Sequence, residues 1–219
     1  MGQQGKPAQT DRIHDLGRFA VDLAHFLVAL RGIDARDGPV ADTHNFHRGG
    51  SLTVYDAETR QSITELADEI DVATVMEVWD TALETSWQGP PVWVHGDVAE
   101  TNLLVKEDRL SAVIDFGCAG VADPACDLVI AWTFLDPTNR GVFRSVVELD
   151  PATWKRARGW AIWKALITLV QLRDGNSVKA RELSGGSNML FRRNSVTGAV
   201  EVVSRDGRGI ALNEDLHTN

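Results

Sequence analysis

Apolar residues recur at helical spacing along much of this chain, and they predict a mainly helical protein. In the segment 11–33 they form one continuous stripe, which a polar segment containing glycine and proline ends. Shorter helical patterns occupy 62–70 and 72–86, and 127–134 reads as the apolar start of another helix. The segment 151–172 has the length and spacing of a long amphipathic helix.

Three short apolar runs in the middle of the chain predict β-strands. The run 92–94 follows a Gly-Pro-Pro break, and the runs 102–105 and 112–114 flank the polar segment 106–109. Two strands around a short polar turn form a hairpin. The predicted fold class is therefore α+β, mostly helical, with a small central β-hairpin.

The chain changes character near both ends. Residues 1–10 are polar and are expected to form a flexible lead, whereas 11–183 contain the helices and the hairpin and are predicted to form one lobe. A Ser-Gly-Gly-Ser segment opens the stretch 184–219, which differs in pattern from the lobe. Candidate strands at 189–192 and 200–204 give this tail the pattern of a short hairpin.

Composition excludes several classes of protein. The chain has 219 residues and a net charge of −9, which disfavours a nucleic-acid partner held through phosphate contacts. No run approaches the ~20 apolar residues of a membrane helix, and the N-terminus lacks a signal-peptide core, so we expect no membrane partner and a cytoplasmic location. Cys118 and Cys126 are too few for a disulfide framework and are expected to be free thiols.

The candidate chemistry lies in two polar motifs that follow apolar strands. A His-Gly-Asp motif ending at Asp97 comes directly after strand 92–94, and Asn102 follows five residues later. An Asp-Phe-Gly motif begins at Asp115, just after the return strand of the hairpin. Because a hairpin returns the chain to the end at which it started, these three side chains are expected to converge on one cleft.

These residue types suit phosphoryl transfer, in which the protein mainly positions groups and neutralises charge. Asp97 can accept or orient the proton of an acceptor hydroxyl. Mg²⁺ prefers oxygen ligands, which the carboxylate of Asp115 and the amide carbonyl of Asn102 supply. A lone Asp-Phe-Gly is common by chance, but both motifs in this order beside apolar strands form a specific signal. The alternative is a set of unrelated aspartates in solvated loops.

The compound pattern resembles the aminoglycoside phosphotransferase family, in which His-Gly-Asp stands where protein kinases have His-Arg-Asp. The Asp-Pro-x-x-Asp-Leu segment that begins at Asp123 and the helical segment 23–34 resemble the same family. The resemblance implies the large lobe of the kinase-like fold, with ATP or GTP as phosphoryl donor, Mg²⁺, and a small-molecule hydroxyl as acceptor. It implies Asp97 as the catalytic residue and Asn102 and Asp115 as metal ligands, and it leaves the acceptor-binding residues unidentified.

Two further residues are predicted to support the site. His95 is expected to hold the loop that contains Asp97 by hydrogen bonds, rather than to transfer a proton in the reaction. The resemblance suggests that Asp127 braces the catalytic loop, and a simple helix N-cap is the alternative.

His44 and His47 have no acidic or thiol partner nearby in sequence and are expected in an ordinary loop. The tryptophans of 151–172 are predicted to lie in the core, with an acceptor-lining role as the alternative.

The resemblance also predicts what this sequence lacks. In this family a nucleotide-binding small lobe, with a lysine on one of its strands, would precede Leu16. Only a short segment of this sequence precedes Leu16, and its lysine, Lys6, has no apolar strand pattern around it. We therefore expect a chain with the large lobe only. Three hypotheses stay open: a working phosphotransferase completed by another chain, a non-catalytic remnant that binds ligand, and an interaction module. Exposed apolar surface where the small lobe would pack favours a homodimer or a partner covering that face.

Overall fold

The computed structural model describes residues 5–10, 13–175, 189–193, 200–204 and 209–210. Helices dominate the described residues, and the strands form three small sheets. The helices are α1 (Leu16–Arg31), α2 (Asp56–Glu65), α3 (Val72–Leu83), α4 (Ile130–Thr133), α5 (Pro137–Val147) and α6 (Pro151–Arg173). The strands are β1 (Lys6–Pro7), β2 (Val92–Val94), β3 (Leu103–Lys106), β4 (Arg109–Val113), β5 (Gly120–Ala122), β6 (Met189–Arg193), β7 (Val200–Ser204) and β8 (Gly209–Ile210). None of the helices in these ranges is long and apolar enough to cross a membrane.

Helix α1 begins at an aspartate cap and buries one face. The carboxylate of Asp15 accepts the backbone N–H of Arg18 at 2.9 Å, which satisfies one donor of the first turn. The predicted helix over 11–33 therefore exists but begins later, because Asp15 fixes its start. Its buried residues recur every three or four positions and are Phe19, Ala20, Leu23, Ala24, Leu27 and Leu30.

Helix α6 lies at the centre of the core. The sequence predicts an amphipathic helix here, and this was wrong, because most residues of α6 between Thr153 and Thr168 are buried. Gly159 allows α3 to approach closely, since a Cβ at this position would lie 2.6 Å from the Cβ of Ala82. All three tryptophans of the helix are buried, as predicted: Trp154, Trp160 and Trp163.

The predicted hairpin is present as β3 and β4, which pair in antiparallel register from Leu103 opposite Val113 to Lys106 opposite Arg109. Arg109 forms an ion pair with Asp22 on α1, with one nitrogen–oxygen distance of 2.6 Å. The hairpin is thereby tied to the helical part of the lobe. Strand β2 pairs antiparallel with β5, a strand that the sequence pattern does not reveal.

Several elements differ from the sequence-based expectations. The expected flexible lead 1–10 includes β1, which pairs with β3, and Ala8 donates its N–H to Leu103 O at 2.8 Å. This pairing uses backbone groups alone, so no side-chain pattern signals it.

Helix α5 was not expected. Strands β6 and β7 pair antiparallel, as the predicted tail hairpin requires, whereas the rest of 184–219 lies largely outside the described residues. The division into lead, lobe and tail stays a prediction.

Candidate functional site

The loop after β2 is organised around His95, which is fully buried. The backbone N–H of Asp97 donates to Nδ1 of the His95 ring at 3.3 Å. The ring proton therefore lies on Nε2, which donates to the carbonyl oxygen of Ile114 at 2.9 Å. One imidazole thus joins the His-Gly-Asp loop to the residue just before Asp115. These contacts support the structural role predicted for His95, which stays a prediction.

Asp127 binds the same loop through its carboxylate. Its two carboxylate oxygens accept the backbone N–H groups of His95 and Gly96, each at 2.8 Å. Burial raises the pKa of Asp127, although the two N–H donors act in the opposite direction. The N-cap of the helical turn Pro124–Val129 is Asp123, not Asp127. The contacts therefore favour the bracing interpretation of Asp127 over the cap.

Gly96 is held in a backbone conformation that favours glycine, with φ of 79°. A Cβ at this position would lie 2.2 Å from the carbonyl oxygen of Cys118. The loop therefore passes against the segment after the Asp-Phe-Gly motif with no room for a side chain. This close approach explains a glycine at the centre of the His-Gly-Asp motif.

Asp97 and Asn102 are in direct contact. The amide nitrogen of Asn102 donates to the backbone oxygen of Asp97 at 3.0 Å and lies 3.3 Å from its Oδ2. Asn102 ends a short helical turn, and β3 begins at the next residue. The Asp97 side chain is 27% exposed, so its carboxylate is accessible to a ligand in the cleft.

Asp115 joins this pair at the same end of the hairpin. The N–H of Ile114 donates to the backbone oxygen of Asn102 at 2.9 Å, which places the two segments side by side. Asp115 has a left-handed backbone, with φ of 64°, and is exposed. The structure thus brings together the three residues that the sequence singles out for chemistry.

The donor set fits a magnesium ion held jointly with a nucleotide. Because the amide nitrogen of Asn102 is committed to Asp97, the carbonyl oxygen is the atom of this side chain that could hold an ion. Mg²⁺ commonly takes one or two carboxylates and completes its shell with phosphates and water. Among the described residues no group of three or more His, Cys, Asp or Glu side chains forms a self-sufficient metal site, the loop with His44 and His47 included.

Sequence reasoning missed Lys164, which reaches the site from α6. Its Nζ lies 3.2 Å from Oδ1 of Asp97, and its side chain is only 6% exposed. Burial lowers the pKa of Lys164, and the Asp97 carboxylate opposes that shift. Burial acts to raise the pKa of Asp97, but the charges of Lys164 and Arg48 outweigh it and hold this pKa below its ordinary value. The apolar residues on both sides of Lys164 in α6 are the sequence signal for this role.

A cavity of about 350 Å³ lies against α6, where Trp163, Ile167 and Gln171 line it. We call it the aromatic cavity, because the rings of Tyr55 and Trp163, with centroids 4.2 Å apart, form part of its wall. The guanidinium carbon of Arg48 lies 4.6 Å from the ring centre of Trp163. Glu58 accepts the indole N–H of Trp163 at 2.7 Å and also lines the cavity, as does Glu65. Trp163 is therefore both a core residue and a cavity residue.

Curated proteins similar to this chain include members of two different enzyme classes, succinyltransferases and aminoglycoside phosphotransferases. A succinyltransferase of Salinispora tropica, 2,3,4,5-tetrahydropyridine-2,6-dicarboxylate N-succinyltransferase, is 62% identical over 48 residues, or 22% of this chain and 15% of that enzyme. The aminoglycoside 3'-phosphotransferase of Niallia circulans is 28% identical over 153 residues, or 67% of this chain and 58% of the relative. The chain therefore spans 15% of the succinyltransferase and just over half of this phosphotransferase.

Solved structures support the predicted fold. The GDP and kanamycin complex of APH(2″)-IIia has a TM-score of 0.55 at 17% identity, covering 84% of this chain and 67% of that one. A macrolide 2'-phosphotransferase type I has a TM-score of 0.53 at 18% identity, covering 84% and 66%. The α+β, mostly helical, kinase-like fold is therefore confirmed. The sequence model described as the phosphotransferase enzyme family matches residues 2–164. With the motifs, the fold and this match in agreement, the chain belongs to the phosphotransferase enzyme family.

Proposed function

We propose that this chain carries the catalytic and metal-binding half of an enzyme that transfers the γ-phosphoryl group of ATP or GTP to a hydroxyl of a small molecule. The observation that carries this proposal is the convergence of Asp97, Asn102 and Asp115 at one end of the β3–β4 hairpin. A streptomycin–ATP complex and a GDP and kanamycin complex among the structures of similar fold support a nucleotide donor.

Asp97 is the group that receives the proton of the acceptor. Its carboxylate accepts a hydrogen bond from the acceptor hydroxyl and orients the oxygen toward the γ-phosphorus. A bond forms between that oxygen and phosphorus, the bond to the bridging oxygen of the nucleotide breaks, and the proton passes to Asp97. Because Lys164 and Arg48 lower the pKa of Asp97, the carboxylate is ionised and ready to accept the proton at neutral pH.

Asn102 and Asp115 are the residues that would hold Mg²⁺, through the amide oxygen and the carboxylate. The ion would neutralise charge on the nucleotide phosphates and the leaving group. His95 and Asp127 keep both residues in register by fixing the loop and Ile114.

The aromatic cavity is the proposed binding site for the acceptor. Arg48, whose charge acts on Asp97, lines this cavity, and its wall offers aromatic faces together with the carboxylates of Glu58 and Glu65. Such a surface suits a hydroxylated acceptor that carries amines, the chemistry of the kanamycin, gentamicin and streptomycin in related structures. Three further expectations stay predictions. They are a cytoplasmic location, the absence of nucleic-acid and membrane partners, and a homodimer or another partner that covers the face on which the small lobe would pack.

Acceptor-dependent release of ADP or GDP tests the proposal. The chain is incubated with MgATP or MgGTP and kanamycin, gentamicin, streptomycin or a macrolide, and phosphorylated product is identified by mass spectrometry. Asp97→Asn should lower the rate by at least about 100-fold, as expected for loss of a general base. Asp34→Asn, at an exposed aspartate remote in sequence from both motifs, is the matched control and should leave it unchanged.

Two outcomes would contradict the proposal. Turnover by Asp97→Asn at the wild-type rate would remove Asp97 from the chemistry. Tight nucleotide binding without product from any acceptor would favour the non-catalytic, ligand-binding alternative.

A further inference from the structure

A second cavity, of about 260 Å³, shares no lining residue with the aromatic cavity. We call it the α3 cavity, because Ala82 and Leu83 at the end of α3 form part of its wall. Trp87 from the loop after α3, Val121 on β5 and Trp160 on α6 contribute other parts of the wall. None of the residues assigned to the proposed phosphoryl transfer lines this cavity.

The wall of the α3 cavity is mainly apolar. Leu52, Ala82 and Val121 give it a buried aliphatic surface, and Trp87 and Trp160 add aromatic side chains. Because an apolar cavity of ~150 Å³ is large enough to bind benzene, the α3 cavity has room for a molecule of about ten non-hydrogen atoms. Its size and lining therefore suit a small ligand built on one apolar ring.

The two charged groups that line the α3 cavity neutralise each other. Nε of Arg156 donates to Oδ2 of Asp123 at 2.6 Å, and both side chains are buried. The same guanidinium donates to the hydroxyl groups of Thr85 at 3.3 Å and Thr153 at 3.0 Å. A ligand carboxylate would bring a second anion toward Asp123, and a ligand amine would bring a second cation toward Arg156. The cavity therefore favours a neutral ligand.

The indole N–H of Trp160 is the polar group of this wall that lacks a partner. Its nitrogen is buried and forms no hydrogen bond within the part of the chain that the structure describes. The other polar side chains that line the cavity are all hydrogen-bonded, and they are Ser51, Thr85, Ser86, Trp87, Asp123 and Arg156. A buried donor left without an acceptor is costly. Because this one belongs to the wall of a cavity, it points to a ligand that supplies an oxygen.

We propose that the α3 cavity is a second ligand-binding site, for a small neutral molecule with an apolar ring and a carbonyl oxygen, and that the indole N–H of Trp160 donates to this oxygen. The apolar wall receives the ring, the Arg156–Asp123 pair disfavours charged ligands, and the unpaired indole selects an acceptor atom. The proposal goes beyond the proposed function, because binding in this cavity requires neither a nucleotide nor the acceptor of phosphoryl transfer.

The test is a titration of the full chain with three probes of similar size and different polarity, followed by the indole signals in ¹H–¹⁵N NMR spectra. Acetophenone carries a carbonyl group, cumene is a hydrocarbon of similar shape, and benzoate is an anion. Acetophenone should bind about tenfold more tightly than cumene, the usual order of gain for one hydrogen bond, and more tightly than benzoate. It should also shift the indole N–H signal of Trp160, which the variant Trp160→Phe identifies by its loss.

Three variants separate the hydrogen bond from the shape of the cavity. Trp160→Phe keeps an aromatic ring but removes the donor, so it should abolish the tenfold preference for acetophenone over cumene. Trp154→Phe is the matched control, because Trp154 lies on the same helix and its indole is also buried without a hydrogen-bond partner among the described residues, but it does not line the cavity. This control should keep the preference. Leu83→Phe places a larger side chain in the wall and should weaken acetophenone binding by at least about tenfold.

Several results would overturn the proposal. Equal affinities of the wild-type chain for acetophenone and cumene would remove the role of the indole, and tighter binding of benzoate would contradict a neutral ligand. Undiminished acetophenone binding in Leu83→Phe would place the ligand elsewhere. No measurable binding of any probe is the result expected if water alone satisfies the indole N–H. If Trp160→Phe does not fold, the comparison of the probes in the wild-type chain and in Leu83→Phe carries the test.

Discussion

Replacing Asp127 by alanine should destabilise the chain far more than replacing an ordinary helix cap. The side chain of Asp127 accepts two backbone N–H groups of the His-Gly-Asp loop, those of His95 and Gly96, at 2.8 Å each. Because Asp127 and His95 are buried, water does not readily reach the two N–H groups to accept their hydrogen bonds in place of the carboxylate. Asp127→Ala therefore leaves two donors of the loop without a partner.

The magnitude follows from these two donors. An unsatisfied buried N–H costs about 1–3 kcal/mol, so the pair costs about 2–6 kcal/mol. Part of this is offset because the variant no longer buries a carboxylate, whose pKa burial raises. We expect a net loss of about 2–4 kcal/mol in the free energy of unfolding. Asp127→Asn keeps one acceptor and should lie between the wild type and the alanine variant.

Urea denaturation followed by circular dichroism measures this loss, and Asp150 supplies the matched control. Asp150 caps α6 by accepting the N–H of Thr153 at 3.0 Å, and a lost cap costs about 1 kcal/mol. Asp127→Ala should therefore lose clearly more stability than Asp150→Ala. Equal losses in the two variants would refute the bracing role of Asp127.

Two further predictions concern the framework of the site. Gly96→Ala should destabilise the chain by about 2 kcal/mol or more, because the φ of Gly96 is 79° and a Cβ would lie 2.2 Å from Cys118 O. A free energy of unfolding equal to that of the wild-type chain, measured by urea denaturation, would contradict the close approach. Asp22→Asn should cost about 0.5–1 kcal/mol at pH 7, since Arg109 is half exposed and water screens the pair. The hydrogen bond from Arg109 lowers the pKa of Asp22, so this contribution is present above the unfolded pKa of about 3.9 and is lost as the pH falls through the lower folded pKa. A cost of Asp22→Asn that persists at the lowest pH where the chain still folds would contradict an electrostatic origin.

The hairpin and the residues around it could be predicted from sequence because their signals are local. Strand patterns, a polar turn and two motifs at fixed spacing place Asp97, Asn102 and Asp115 at one end of β3 and β4. The apolar stripe likewise predicts that α1 exists, although its start at Leu16 lies later than the sequence-based bound.

The cations of the site could not be predicted in the same way. Lys164 lies 67 positions from Asp97 along the chain, and its contact depends on how α6 packs in the core. Arg48 belongs to a loop whose composition indicates only irregular structure. The pairing of β1 with β3 escapes prediction for a different reason, because it uses backbone hydrogen bonds that leave no pattern of side chains.

The most direct test of the central claim is a calorimetric titration of the chain with ATP or GTP, with and without Mg²⁺, using Asp115→Asn for comparison. We predict binding that requires Mg²⁺ in the wild-type chain and that Asp115→Asn weakens by at least about tenfold, since Asp115 supplies the carboxylate ligand. Nucleotide binding that does not depend on Mg²⁺, or that is equally strong in Asp115→Asn, would contradict the assignment of this end of the hairpin as a phosphotransferase metal site.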